Sequence, residues 1–391
     1  IMKTICVVTS TRADYGLLSP VLFKLNKDSE LNLHLVVTGS HLSKKYGMTI
    51  QEIYGERIPI HECISILPED DFTNVSQIMA NALVSFAEYF SKNRPDLVLV
   101  LGDRYEIFAV CCAAVNNLIP IAHIHGGETT EGAIDECYRH SITKMSYLHF
   151  TSCEAYRRRI IQLGEDPHRV FNVGALGIEN VLNIPYLNKD KLSKELGFNL
   201  NLPYVVVTYH PVTLEYHTAR QHCKELFKAL DLFPCLGVLI TKSNADADGV
   251  IINDMIDEYC KCRPNCKAFF SLGAQRYLTT VKYSKAVIGN SSSGILEVPA
   301  LGVPTVNIGD RQKGRVKPPS VVDCLPMVES ISDAIRKVLG SGFRAMLSQG
   351  TNVYGSGDSS RKIVEILKHY LNVTHIDLKK RFYDLPFAEK T

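Results

Sequence analysis

Twice along this chain, short apolar runs of strand length alternate with longer stretches of helix pattern, and that alternation confines the fold to parallel sheets. Parallel neighbours need a crossover between them, usually a helix, and the crossover is right-handed. In the first half the patterning predicts strands at Thr4–Val8, Leu33–Val37, Asp96–Leu101, Ile119–Ile124, Leu148–Thr151 and Val170–Asn172. Helices are predicted between them at Gly16–Leu25, Thr73–Lys92 and Tyr105–Val115. A polar stretch containing Pro and Asn, from Asn183 to Pro203, interrupts the pattern.

The alternation then resumes. Strands are predicted at Tyr204–Thr208, Leu236–Thr241, Lys267–Phe270, Ala286–Ile288 and Thr305–Ile308. The matching helices are Ala219–Leu230, Gly249–Cys260, Tyr277–Tyr283, Gly294–Leu301, Ser330–Leu339 and Ser359–Leu371. The expected fold class is α/β, with two doubly wound, Rossmann-like domains facing a cleft, divided near residues 182 and 183. The halves do not repeat each other in sequence.

Composition narrows the function classes. With 391 residues, 46% hydrophobic and 21% charged, the chain can bury two cores. A formal net charge of +2 gives no general case for nucleic acid or a membrane surface. No apolar run approaches the ~18 residues of a membrane span, and the opening residues lack an export-signal pattern. With 12 cysteines expected as free thiols, the reading is a cytoplasmic protein. Cys260, Cys262 and Cys266 lie close together, but they form no repeated C-x-x-C and have no histidine nearby, so no metal is expected.

In such sheets ligands bind beyond the carboxyl ends of the strands. Leu97–Leu101 stops at Gly102-Asp103-Arg104, and Ile119–Ile124 stops at His125-Gly126-Gly127-Glu128, with Asp135, Glu136 and Arg139 downstream. Asp103 could instead cap the next helix, and Glu128 could lie solvated in a loop. Two carboxylates at neighbouring strand ends point to acid/base chemistry. The glycines at 126 and 127 would let the backbone approach a ligand. His125 alternates with His123, so one should face the crevice and the other the packing.

Anion sites are expected at two strand-to-helix turns. Thr9 to Gly16 carries small hydroxyls and Arg12, while Gly289-Asn290-Ser291-Ser292-Ser293-Gly294 is small and hydroxyl-rich. Together they suggest a nucleoside diphosphate, with Glu297 placed to accept from a ribose. Either histidine at a strand tip, His41 or His210, could serve packing or capping; His210 as a cation could stabilise a leaving phosphate. The basic loop Gly309 to Arg315 could touch the nucleotide or lie solvated.

The motifs Thr11-Arg12-Ala13-Asp14-Tyr15-Gly16, Leu101-Gly102-Asp103-Arg104, His123-Ile124-His125-Gly126-Gly127-Glu128, Arg139 to Lys144, Gly289 to Gly294 and Gly309 to Arg315 occur in this order. Together they resemble the hydrolysing UDP-N-acetylglucosamine 2-epimerases of bacterial sialic acid synthesis. The resemblance spans nearly the whole chain. It implies a glycosyltransferase-B-like fold whose last helix, within 360–391, returns to the first domain. It also implies conversion of UDP-N-acetylglucosamine and water into UDP and N-acetylmannosamine, with no cofactor and a homodimer as the assembly.

By motif match Asp103, Glu128 and Asp135 would handle protons, and His210 would stabilise the departing diphosphate. Arg12, Asn244, Ser291, Ser292, Ser293, Glu297 and Arg311 would bind UDP. The sugar would meet His41, Arg104, His125 and Arg139. Asp135-Glu136 before Tyr138-Arg139-His140 matches the hydrolysing branch better than the non-hydrolysing one. Alternatives within the fold are a UDP-2,4-diacetamido sugar as substrate, a non-hydrolysing epimerase, a glycosyltransferase and a UDP-sugar sensor without turnover.

Overall fold

The computed structural model describes residues 2–44, 47–56, 58–68, 74–131, 134–211, 218–243, 247–347, 353–374 and 376–386. The chain divides into two compact units. Unit 1 holds residues 1–128, 134–180 and 354–391, and unit 2 holds 129–133 and 181–353.

Unit 1 is built on seven parallel strands: β1 (Lys3–Thr9), β2 (Leu31–Thr38), β3 (Ile60–Ile64), β4 (Leu97–Leu101), β5 (Ile121–Ile124), β6 (Leu148–Thr151) and β7 (Val170–Asn172). Their order is β3-β2-β1-β4-β5-β6-β7. The order reverses between β1 and β4, which leaves a crevice beyond the ends of those two strands.

The apolar run of β4 is explained by burial on both faces. Leu97, Leu99 and Leu101 pack into one core with α1 (Arg12–Lys27) and the helix Ser359–Asn372. Val98 and Val100 pack into another, with α2 (Ile50–Gly55) absent from it and with α3 (Val75–Asn93) and α4 (Tyr105–Asn116) supplying Phe86, Phe90, Ile107 and Val110. Each fully buried residue of this kind contributes about 1.5–3 kcal/mol, so a polar substitution in β4 would strike one core or the other. Three further helices complete the segment through residue 183: α5 (Asp135–Met145), α6 (Glu154–Gln162) and α7 (Leu176–Asn183).

The first helix wholly within unit 2 is α8 (Lys189–Leu196), inside the stretch expected to interrupt the pattern. Leu192 and Leu196 are four apart and buried in a core with Tyr204 and Val206. Asn188 caps the start by accepting from the Asp190 and Lys191 amides, and Gly197 ends it at φ +55°. Six parallel strands follow: β8 (Tyr204–Thr208), β9 (Gly237–Thr241), β10 (Cys266–Phe269), β11 (Val287–Gly289), β12 (Thr305–Ile308) and β13 (Val321–Cys324). Their order is β10-β9-β8-β11-β12-β13, with the reversal between β8 and β11.

The helices of unit 2 are α9 (Ala219–Asp231), α10 (Ala247–Cys262), α11 (Gly273–Tyr283), α12 (Ser293–Leu296), α13 (Val328–Leu339) and α14 (Ser341–Leu347); the terminal helix, α15, returns to unit 1. The single helix expected over Gly294–Leu301 is instead one turn, α12, followed by a 3₁₀ turn at Val298–Leu301. Pro299 lacks the amide that a continuous helix requires. Among the described residues, no helix is long and apolar enough to cross a membrane.

Candidate active site

At the unit 1 switch point, the segment after β1 differs from the expected loop. The helix begins at Arg12, with Thr11 as N-cap and Asp14 closing a reciprocal capping box. The buried Asp14 carboxylate accepts from the Ser10 amide at 3.0 Å, the Ser10 hydroxyl at 2.9 Å, the Thr11 amide and the Thr9 hydroxyl. The chain thus supplies its own anion to amides that were expected to hold a phosphate. Arg12 pairs with Glu52 at 3.0 Å, both side chains being half exposed.

His41 is buried, with Nε2 at 3.1 Å from Thr9 Oγ1 and Nδ1 at 2.8 Å from Thr49 Oγ1. Burial lowers its pKa, against the opposing pull of Asp14. His41 is therefore held in the Thr9–Asp14 network.

Around the ends of β4 and β5 the expected residues do converge. The Arg139 guanidinium, buried on α5, donates to Asp103 and, at 2.9 Å, to Glu136. Asp103 does not cap α4; Arg104 occupies that position and bonds Glu106. Burial raises the Asp135 pKa, the neighbouring Asp103 charge adds to the rise, and Arg104 and Arg139 oppose it. Such a carboxyl is held toward its protonated form, as a proton donor must be.

Glu128 is buried rather than solvated, and Ser152 Oγ donates to it at 2.9 Å. His125 Nδ1 lies 3.9 Å from Glu128 Oε1, on a backbone at φ +64°. A left-handed backbone at a non-glycine residue is sparsely populated and is characteristic of functional turns. His123 turns into the packing: Nε2 meets the Gly102 carbonyl at 2.7 Å, and burial drives its pKa down to about 3.

The glycines at 126 and 127 are required by the chain itself, not only by any ligand. A Cβ at Gly126 would stand 2.9 Å from the His123 ring, and one at Gly127 only 2.4 Å from the Tyr156 carbonyl.

Unit 2 assembles its own cluster at the β8/β11 reversal. His210, just past β8, exchanges two backbone bonds with the Asn290 side chain, each 2.8 Å. Its Nδ1 lies 3.2 Å from Ser243 Oγ, beyond the end of β9. Arg311 and Gln312, after β12, both donate to the Asn290 carbonyl. Burial, helped by the Arg311 charge, lowers the His210 pKa to about 4. This direction favours the neutral ring, whereas the cationic role expected from sequence concerns His210 facing a leaving phosphate.

In the serine-rich turn, Ser292 precedes α12, and the Ser291 hydroxyl accepts weakly from the Ser293 amide at 3.4 Å. Tyr277 donates to Ser293, which donates to Glu297 at 2.6 Å. Burial raises the Glu297 pKa. Asn244 lies outside the described residues.

Ser243 and Asn253 were not singled out from sequence, and Asp14, Glu136 and Asn290 stood there only within motifs, with no role of their own. Only Asp14 carried a local signal, the Thr-x-x-acid spacing of a capping box. Among the described residues, no group of three or more His, Cys, Asp or Glu gathers that could hold a metal ion.

Comparison with known proteins gives this arrangement a family. Residues 23–368 match the UDP-N-acetylglucosamine 2-epimerase family. A Campylobacter jejuni protein named GDP/UDP-N,N'-diacetylbacillosamine 2-epimerase (hydrolyzing) is 39% identical over 389 residues, covering 98% of this chain and 99% of that protein. The polysialic acid biosynthesis protein P7 of Escherichia coli is 41% identical over 387 residues, 98% of each chain. Among solved structures, the Neisseria meningitidis UDP-GlcNAc 2-epimerase bound to UDP-GlcNAc superimposes with a TM-score of 0.81 at 19% identity, over 94% of this chain and 99% of that one. The chain belongs to the UDP-N-acetylglucosamine 2-epimerase family.

Proposed function

We propose that the protein is a hydrolysing 2-epimerase that converts UDP-N-acetylglucosamine and water into UDP and N-acetylmannosamine, for sialic acid synthesis. The observation that carries this reading is the gathering of Asp103, Glu128 and Asp135 around Arg139 at a strand-end crevice. Binding alone has no need of such a set.

The reaction's difficulty is the proton on C2, which has no adjacent carbonyl to acidify it. Breaking the C1–O bond to UDP gives C1 oxocarbenium character and makes that proton acidic. A carboxylate, Glu128 or Asp135, takes the proton while the C1–O electron pair leaves with UDP, giving 2-acetamidoglucal. Water then adds its oxygen to C1, yielding a proton to a carboxylate, and C2 receives a proton on the opposite face. Asp135, held toward its protonated form, suits the donor role. Asp103 would hand protons to and from water, with Arg139 fixing its direction.

Unit 2 would hold the leaving nucleotide through His210, Arg311 and the Ser291–Ser293 turn, with Glu297 beside them. Donors aimed at the departing diphosphate stabilise the charge that develops there. Arg12, His41, Arg104 and His125 complete the proposed substrate contacts. The proposal includes a homodimer in the cytoplasm, a reducing compartment in which cysteines stay as thiols.

A second substrate is favoured by a specific observation, the Campylobacter relative's name, which specifies N,N'-diacetylbacillosamine and hydrolysis. Both UDP-sugars would be incubated with the protein in deuterated water. The proposal expects UDP and free N-acetylmannosamine deuterated at C2. Intact UDP-N-acetylmannosamine would overturn the hydrolysing assignment, and turnover of the diacetamido sugar alone would replace the substrate.

A further inference from the structure

Two asparagines extend the unit 2 sheet beyond its last strand residues. Asn290 accepts from the His210 amide and donates to the His210 carbonyl, both at 2.8 Å. Asn253, on α10, does the same for Ser243: it accepts from the Ser243 amide at 2.9 Å and donates to its carbonyl at 3.1 Å. In each case one side-chain amide satisfies both backbone groups of a residue that has left its strand. Such groups must find partners when withdrawn from water. The consequence is positional: His210 and Ser243, from adjacent strands β8 and β9, are held so that the imidazole Nδ1 meets the serine hydroxyl at 3.2 Å.

A neutral imidazole carries one donor and one acceptor nitrogen, and the partner of one nitrogen decides what the other offers. A serine hydroxyl can donate to Nδ1, which puts the ring proton on Nε2. When a dianionic ligand draws a second proton onto the ring, the same hydroxyl turns and accepts from Nδ1–H. A fixed carbonyl would serve only the second state, and a methyl group neither.

We propose that Ser243 and Asn253 are positioning residues for His210: Asn253 fixes Ser243, whose hydroxyl holds the ring with Nε2–H presented to a diphosphate oxygen. This rests on the reading that unit 2 receives a nucleoside diphosphate. The Arg311 guanidinium is the charged group acting on the ring among the described residues; Ser243 and Asn290 are neutral. The ring is therefore neutral before the ligand arrives, which is the state in which its tautomer matters.

The test is 15N NMR of the histidine rings in the unliganded full-length chain, with His210 assigned by its loss in His210→Gln, together with calorimetric titration of UDP. Wild type should show Nε2 protonated and Nδ1 accepting. Ser243→Ala should give a mixture of tautomers and weaken UDP by roughly 5- to 10-fold, the scale of one hydrogen bond. Ser243→Thr should restore both readouts, and Asn253→Ala should follow Ser243→Ala. Should Asn253→Ala fail to fold, Ser243→Ala, which removes one oxygen, carries the decision. Unchanged ring signals in Ser243→Ala, or an Nδ1-protonated wild type, would overturn the proposal. If the wild type does not bind UDP, the functional reading fails, and the unliganded ring signals still decide whether Ser243 sets the tautomer.

Discussion

Arg139, one turn into α5, donates to the carboxylate of Asp103 at the end of β4, and its other terminal nitrogen holds Glu136 at 2.9 Å. One planar cation thus fixes two carboxylates in direction as well as charge, which a lysine cannot do. Replacing Arg139 by Ala should lower kcat/KM by about 100-fold or more and destabilise unit 1 by roughly 1–3 kcal/mol, because two partly buried carboxylates lose their hydrogen-bonding partner. Arg139→Lys keeps the charge and should recover stability more than activity. Chemical denaturation alongside steady-state kinetics separates the two effects. Equal recovery of both would mean that the fork geometry has no role beyond folding.

Glu128 is buried, bonded by Ser152 and 3.9 Å from the His125 ring. Glu128→Gln preserves shape and the Ser152 contact but removes the basic oxygen. Turnover should vanish while the UDP dissociation constant stays within about 2-fold, since the proposed nucleotide contacts other than Arg12 belong to unit 2. Loss of UDP affinity in titration calorimetry would place Glu128 at the nucleotide instead.

His123 and His210 are held neutral by burial, with pKa values lowered to about 3 and about 4. In the unfolded chain a histidine takes up its proton near pH 6.5. Between those values the unfolded state binds more protons than the native one, so stability rises with pH and is lost on acidification. For His123 alone, each unit below about pH 6.5 costs up to about 1.4 kcal/mol until the native pKa is reached. Melting temperatures measured from pH 7.5 down to 4.5 should fall steadily. In His123→Asn the fall should be shallower, and an identical slope would remove His123 as its source.

The sheets and the acidic crevice were legible because their causes are local in sequence. The Leu97–Leu101 run, buried on both faces, can only be an interior strand, and the residue that follows it must lie at the crevice. Strands β3 and β13 escaped detection because they are edge strands with polar, partly exposed residues such as Glu62 and Asp323. Helix α8 was missed because its signal is two leucines and a pair of caps within a polar stretch. The asparagine clamps were out of reach for a different reason. Asn290 and His210 are eighty positions apart and only the pairing of β8 with β11 brings them together, while Asn253 reaches Ser243 from the helix that follows β9, a contact with no sequence signal of its own.

The C-terminal segment carries the last expectation. Lys380 reaches the fully buried Glu165 at 2.7 Å and also donates to the carbonyls of Lys144 and Ser146. Phe382 lies over the position where Gly164 has no side chain, and the Tyr383 amide donates to the Gly164 carbonyl. Burial would push the Glu165 carboxyl up, but bonds from His149, Lys144 and Lys380 together hold it at about 2. Truncation after Asp377 removes one of these cations and opens the carboxylate's surroundings to water. Some stability should be lost at pH 7, and the loss should shrink as pH falls from about 4.5 through 2, below which Glu165 is protonated in the native state as well. Lys380→Met tests the charge without removing the strap: it should be destabilised by about 1–3 kcal/mol by denaturant titration, with the UDP dissociation constant unchanged. A truncated chain as stable as the full-length one would show that Lys144 and His149 suffice to hold Glu165 ionised.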